Sequence, residues 1–293
     1  MNTIIFIDTE VNPENQTVLD YGAFVDDNRY IHTEAAGRFR DFLRQNSAGE
    51  NRYLCGHNIV HHDVKYIAQE MREAGINGLI DTLYLSPLCF PSKPYHALLK
   101  DDKLQADELN NPLDDCKKAM ELFYDEVNAF RNMHPLQREI YASLLCRREE
   151  FRDFFSYVGF TPDLHKNTAE SIRSLYRHNI CGNCDLEGLI TRFPVELAYV
   201  LAVISAQDTT SMTPGWVIRN FPNVSYVIKK LCNTLCYQKC PYCQDKLDIH
   251  KRLKQIFGYD DFRKFEGENL QERAVQAAVD HKSVIHQQSF KNF

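Results

Sequence analysis

Asp8 and Glu10 stand two residues apart at the end of the β-rich run Thr3-Ile4-Ile5-Phe6-Ile7. On a strand, positions i and i+2 face the same side. Two carboxylates side by side repel unless a cation lies between them. A third acid, Asp63, opens a helical pattern just after Gly56-His57-Asn58-Ile59-Val60-His61-His62. A fourth, Asp115, lies at the start of the stretch from Leu113 to Phe130, whose apolar positions recur at helical spacing. Four carboxylates from strand ends and helix starts suffice to clamp divalent ions, and hard oxygen ligands favour Mg²⁺ or Mn²⁺ over zinc. Two such ions, about 3.5–4 Å apart, neutralise the attacking and leaving oxygens in phosphodiester hydrolysis.

Ten cysteines form the second chemical theme. Cys55, Cys89, Cys116 and Cys146 are scattered singly in apolar or helical settings and read as small buried hydrophobes. The other six cluster. Cys181-Gly-Asn-Cys184 is one CxxC knuckle, and Cys232, Cys236, Cys240 and Cys243 form a second group that ends in Cys240-Pro-Tyr-Cys243. Paired knuckles on separate turns build a tetrahedral thiolate site. The expected structural zinc set is therefore Cys181, Cys184, Cys240 and Cys243, with Cys236, and less readily His250, as the fallback ligand. The spacing Cys236-x3-Cys240-x2-Cys243 also matches radical enzymes that carry an iron–sulfur cluster, whose barrel follows the cysteines. Only 50 residues follow Cys243, too few for a barrel of roughly 200 residues.

The elements that must position these groups divide the chain into three regions. Residues 1–130 read as a mixed α/β domain, with strands at Thr3–Ile7, Val18–Asp26 and Arg52–Gly56 and a strand or helix start at Ile80–Leu83. Its helices run over 38–45, 63–74 (closed by Gly75) and 113–130. From 131 to 250 strand signals fade, and helices are expected over 135–157, 168–178 and 195–206 around the cysteine site. Residues 251–293 carry two further helical runs. The composition, 44% hydrophobic and 25% charged, excludes a disordered or collagenous chain. The net charge of −6 excludes a basic nucleic-acid coat. Charge is uneven: residues 1–125 hold 12 bases and 21 acids, while 229–293 hold 12 bases and 8 acids. Cations belong with the first and phosphates with the second. No apolar run is long enough for a bilayer, and the N-terminus lacks a basic n-region, so a cytoplasmic protein is expected.

The order of the acidic motifs resembles the DEDD exonuclease family, which has a ribonuclease-H-like fold. Phe-Ile-Asp8-Thr9-Glu10 matches its first motif, Gly56-His57-Asn58 through Asp63 its second, and Leu113 through Phe123, with Asp115 at the metal-binding aspartate, its third. Ile80-Asp81-Thr82-Leu83 fits the segment between the last two. The resemblance implies a mixed sheet flanked by helices and a 3′→5′ exonuclease with Asp8, Glu10, Asp63 and Asp115 as ligands of Mg²⁺ or Mn²⁺. Thr9, His57, Asn58 and Asn110 would stand near substrate. One position departs from the pattern. The histidine subclass carries its general base five residues before the last aspartate, where this chain has Asn110, and the tyrosine subclass needs a tyrosine where it has Asn111. Asparagine can orient a water but cannot take its proton. His96, five residues before Asp101, is a stand-in base, with His61 and His62 behind it.

The C-terminal stretch resembles the entry segment of RecQ-type DNA helicases. Phe257, Tyr259, Arg263 and Gln271 match the residues that sit against the adenine of ATP in that family. No GxxxxGK[ST] phosphate loop occurs, so ATP is not expected to bind here. The chain looks like the N-terminal part of an exonuclease–helicase fusion, truncated or ended early. Two functions are carried forward: a DNA exonuclease in repair or recombination, and a hydrolytically weak nuclease fold that positions DNA for a helicase.

Overall fold

The computed structural model describes residues 3–47, 49, 51–93, 96, 98, 111–206, 213–232, 236, 240–247, 254, 258 and 272–274. The element order is β1(Thr3–Val11) β2(Val18–Asp26) β3(Arg29–Thr33) α1(Ala36–Asn46) β4(Arg52–Gly56) α2(Val64–Glu73) β5(Gly78–Asp81) α3(Thr82–Cys89) α4(Pro112–Asn132) α5(Pro135–Leu145) α6(Glu149–Val158) α7(Thr168–Leu175) α8(Leu186–Arg192) α9(Pro194–Ser205) α10(Gly215–Asn220) α11(Val224–Cys232) α12(Pro241–Leu247). The chain groups into two compact units. The first holds residues 1–175 and 186–228, and the second holds 176–185 and 229–293. This differs from the boundary expected at residue 130.

The first unit is α/β. Its five strands lie in the order β3-β2-β1-β4-β5. The first three are antiparallel neighbours, while β1, β4 and β5 run parallel. Parallel neighbours need crossovers, which α1 and α2 supply. Alternation along β1 sends Ile5 and Ile7 to one face, into a core with Phe39 and Leu43 of α1 and Ile67 of α2. Phe6 points to the other face, where its ring lies 5.8 Å from that of Phe123 on α4. Gly75 closes α2 as expected: at φ +68° its amide donates to the Arg72 carbonyl at 3.1 Å. The expected helix over 135–157 is two, α5 and α6. It breaks at 146–148, where Glu149 and Glu150 begin a new first turn that favours acids.

Within this unit, α6, α9 and α10 extend the sheet's core. Along the β5 edge, Asp153 of α6 accepts a hydrogen bond from the Leu79 amide at 2.8 Å, and Tyr53 meets Ser156 Oγ at 2.9 Å. That covers a strand edge that would otherwise be an open template. Tyr84 of α3 sits among Phe151, Trp216 and Phe221, and Tyr199 of α9 donates to its carbonyl at 3.0 Å. The helices expected over 251–257 and 269–280 lie almost entirely outside the described residues. Among the described residues, no helix is long and apolar enough to cross a membrane.

Candidate metal centres

The acidic site forms where β1 outruns its parallel neighbour. Pairing with β4 reaches Phe6 opposite Cys55, while pairing with β2 continues past Asp8, which stands opposite Gly22. Gly22 decides what lies above. A Cβ there would come within 2.6 Å of the Pro112 carbonyl carbon and 2.7 Å of its oxygen. Only glycine lets the first turn of α4 rest on the strand. Asn111 caps that turn, its side chain accepting from the Leu113 amide at 3.1 Å and donating to Asp114 at 2.9 Å. One residue farther, Asp115 turns inward. Carboxylate oxygens of Asp8, Glu10 and Asp115 lie within 4.8 Å of one another, and all three residues are half-buried. Cys116 is buried behind them, its thiol pushed well up by burial and by the charges of Asp8, Asp63 and Asp115.

Asp63 is close but held differently. Its Oδ1 accepts from the Thr9 amide at 2.9 Å and the Thr9 hydroxyl at 2.6 Å, and His62 Nδ1 lies 3.5 Å away. It does not join the mutual trio. Thr9 points to the opposite side of β1 from Asp8 and Glu10 and is fully buried, so its hydroxyl orients Asp63 and is not offered to substrate. The Asp63 bond also tends to raise the pKa of His62, the first of several causes acting on it.

The other expected site residues divide into framework and surroundings. Asn58 adopts φ +62°, and its amide is held by Asp81 Oδ1 at 2.8 Å. His57 Nδ1 meets Thr82 Oγ1 at 2.9 Å. Burial pushes its pKa down to about 4, aided by His96 and opposed by Asp115 and a bond to the His96 backbone. His96 is itself buried, with Nδ1 2.8 Å from Ser86 Oγ. Burial, with Lys93 nearby, brings it to about 4 as well. An imidazole so weakly basic is a weaker proton acceptor near neutral pH, and the burial of His96 against Ser86 fits a core histidine. His61 Nε2 is 2.7 Å from the Tyr84 hydroxyl. Asn110, Phe257, Tyr259, Arg263, Gln271 and His250 lie outside the described residues.

Asp81, read from the sequence only as part of the Ile80–Leu83 segment, is a framework residue of the site. Buried at the end of β5, it accepts from the amides of Asn58, Val60 and Leu83 at 2.8, 3.2 and 2.9 Å. It thereby shapes the loop that carries His57 to Asp63. Burial raises its pKa to about 7 against those three bonds. The signal was present: an acid just before Thr82 and an apolar helix is an N-cap pattern. Glu126, fully buried on α4 with both carboxyl oxygens unpartnered among the described residues, is pushed well above the carboxylate range by burial.

The second unit contains a separate cluster. The sulfurs of Cys181, Cys236, Cys240 and Cys243 all lie within 4.8 Å of one another. Cys184 does not join them, although it is buried and its amide bonds to the Cys181 carbonyl at 3.2 Å. The expected set thus changes by one member, with the fallback Cys236 in place of Cys184. Burial would raise Cys236, but hydrogen bonds from the Cys240 backbone and from the neighbouring thiols outweigh it and bring its pKa to about 7. The four scattered cysteines behave as expected of small apolar residues: Cys55 and Cys116 are buried, Cys89 and Cys146 partly so.

Two donor sets of opposite character are present: three carboxylates suited to a hard divalent ion, and four sulfurs suited to a softer one. In comparisons with known proteins, no family model, no curated protein and no solved structure matches the chain.

Proposed function

We propose that the acidic face is a phosphodiester-hydrolysing centre, a Mg²⁺- or Mn²⁺-dependent 3′→5′ exonuclease acting on DNA within a ribonuclease-H-like fold. We further infer that it serves DNA repair or recombination as the N-terminal part of a RecQ-like helicase. The observation that carries the reading is the mutual approach of Asp8, Glu10 and Asp115 within 4.8 Å. Such a group is costly without a cation, because three carboxylates repel. The oxygen-only donor set fits a hard divalent ion. Bound there, such ions would neutralise charge on the attacking and leaving oxygens. Asp8 and Glu10 present their oxygens from one strand and Asp115 from the end of a helix, while Thr9 fixes Asp63 beside them. The substrate and polarity come from the motif resemblance. The thiolate cluster is a structural zinc centre in this reading and takes no part in the chemistry.

A second reading, a hydrolytically weak module that positions DNA for a helicase, is favoured by the histidines. His57 is half-buried and His96 buried, both held neutral and occupied by hydroxyls, and residue 110 is an asparagine. Incubating the protein with 3′-labelled single-stranded DNA and Mn²⁺ separates the two. The exonuclease releases label, loses activity in Asp8→Ala, and gains in Asn110→His toward the roughly 10²–10⁴-fold that general-base assistance supplies. Micromolar binding with no release in either protein supports the second reading.

A further inference from the structure

We propose that Cys181, Cys236, Cys240 and Cys243 bind one mononuclear tetrahedral ion, and that this ion folds the second unit from its two separated chain segments. The proposal rests on the zinc reading above and adds to it the ligand set, the nuclearity and the coupling to folding. The sulfur of Cys243 lies 3.7 Å from that of Cys236 and 3.7 Å from that of Cys181. Four thiolates around zinc at about 2.3 Å must stand about 3.8 Å apart along the tetrahedron's edges. Disulfides need about 2.05 Å, so these sulfurs are spaced for an ion between them and not for bonds to one another. An iron–sulfur cube, the alternative raised by the Cys236-x3-Cys240-x2-Cys243 spacing, places each cysteine on a different iron, and sulfurs radiating from four irons stand much farther apart than these do.

The surroundings are built to hold thiolate charge. The Gly182 amide points at Cys240 Sγ at 3.2 Å, and the Cys236 amide at Cys243 Sγ at 3.3 Å. A Cβ on residue 182 would come within 3.1 Å of Cys240 Cβ, so glycine lets that turn close on the cluster. The turn offers Cys181 and the Gly182 amide, leaving Cys184 outside. Around the cluster, among the described residues, the two segments also meet where the Cys181 amide bonds to the Leu231 carbonyl at 2.8 Å, Cys232 Sγ to the Asn179 carbonyl at 3.6 Å, and His178 Nδ1 lies 3.6 Å from Asp245, with Tyr176, Ile180 and Leu231 buried. Metal affinity in a site whose ligands come from separate segments is folding free energy.

The test uses the full chain. Elemental analysis of protein purified without added metal should find one zinc per chain. Cobalt substitution should give the spectrum of four sulfur ligands, unchanged in Cys184→Ala and shifted toward three sulfurs and one nitrogen in Cys236→His. Chelation should speed proteolysis between residues 229 and 247 by an order of magnitude or more. Wild-type protein without metal overturns both the zinc reading and the proposal. Iron that gives the spectrum of a four-sulfur mononuclear centre overturns the zinc identity alone, and a cluster spectrum overturns the nuclearity. Zinc present in wild type but lost in both Cys184→Ala and Cys184→Val, with Cys236→His spectrally unchanged, overturns the ligand set. Zinc removed with no change in proteolysis overturns the coupling to folding.

Discussion

The acidic face and the thiolate cluster gather like charges by opposite means. At the acidic face, a five-stranded sheet with apolar cores on both sides sets the geometry. The carboxylates are passengers at a strand end and a helix start, so a cation there would add chemistry without being needed for the fold. In the second unit the described core is a handful of side chains, and the four sulfurs are its centre. There the ligands are the scaffold. The difference teaches that equal ligand crowding can mean function in one place and folding in another, and that the amount of apolar burial around the site tells them apart.

Exchanging the perturbations between the two regions sharpens this contrast most. Removing the thiolate-bound ion should release a folding contribution of up to about 10 kcal/mol, the low end for structural zinc. Far-ultraviolet dichroism and limited proteolysis should register that loss in the second unit. Removing a carboxylate should do the reverse. Asp8→Ala or Asp115→Ala should cut cleavage by roughly 10²–10³-fold, the scale of deleting one electrostatic element from an active site. Thermal stability should stay level or rise, because a repulsion is relieved. A large drop in melting temperature in Asp8→Ala would break the contrast by making the acids structural.

Acid titration followed by a probe in the sheet unit tests its buried and half-buried histidines. His57 and His96 are held at about 4 against 6.5 for an unburied imidazole. Their contribution is fully present above pH 6.5 and is lost as pH falls toward 4, because the unfolded chain takes up the protons first. Asp81, raised to about 7, acts with the opposite sign, its contribution fading as pH rises from 4 to 7. Glu126, also raised by burial, acts in the same sense as Asp81, so the histidines' share is read by comparing urea midpoints between variants. Between pH 6.5 and 4.5, His96→Gln should lose about 1–3 kcal/mol less stability than the wild type. An unchanged slope in that variant would show that His96 is not held neutral by its surroundings.

Gly22→Ala acts on the site through the backbone, with a modest effect on stability. The added methyl meets the Pro112 backbone at 2.6 Å, so α4 must shift, at roughly 1–3 kcal/mol. The shift moves Asp115 off Asp8 and Glu10. Divalent-ion affinity should therefore weaken more in Gly22→Ala than in Gly37→Ala, where the nearest neighbour of a Cβ is a flexible Arg40 nitrogen at 3.7 Å. Equal affinities would remove Gly22 from the account of the site.

Much of the acidic site was legible because local periodicity placed it. The i, i+2 spacing put Asp8 and Glu10 on one side, and the apolar stripe of α4 located Asp115 within its first turn. Less legible was anything decided by a partner distant in sequence. Strand β3, Arg29–Thr33, is a polar edge strand with exposed Arg29, Tyr30 and His32 and carries no alternation to read. The role of Thr9 depends on Asp63, fifty-four residues on. Cys184 looked like a ligand because CxxC is a local pattern. The choice of Cys236 is tertiary: the Cys181 amide pairs with the Leu231 carbonyl, and Cys236 stands within reach of the same turn.

Whether Asp8, Glu10 and Asp115 together hold a hard divalent ion is tested by a Mn²⁺ titration followed by the paramagnetic signal of the free ion. The wild type should bind Mn²⁺ saturably, with weakening of comparable size in Asp8→Ala, Glu10→Ala and Asp115→Ala and none in Cys236→Ser. Mn²⁺ binding that is no tighter in the wild type than in Asp8→Ala would contradict it.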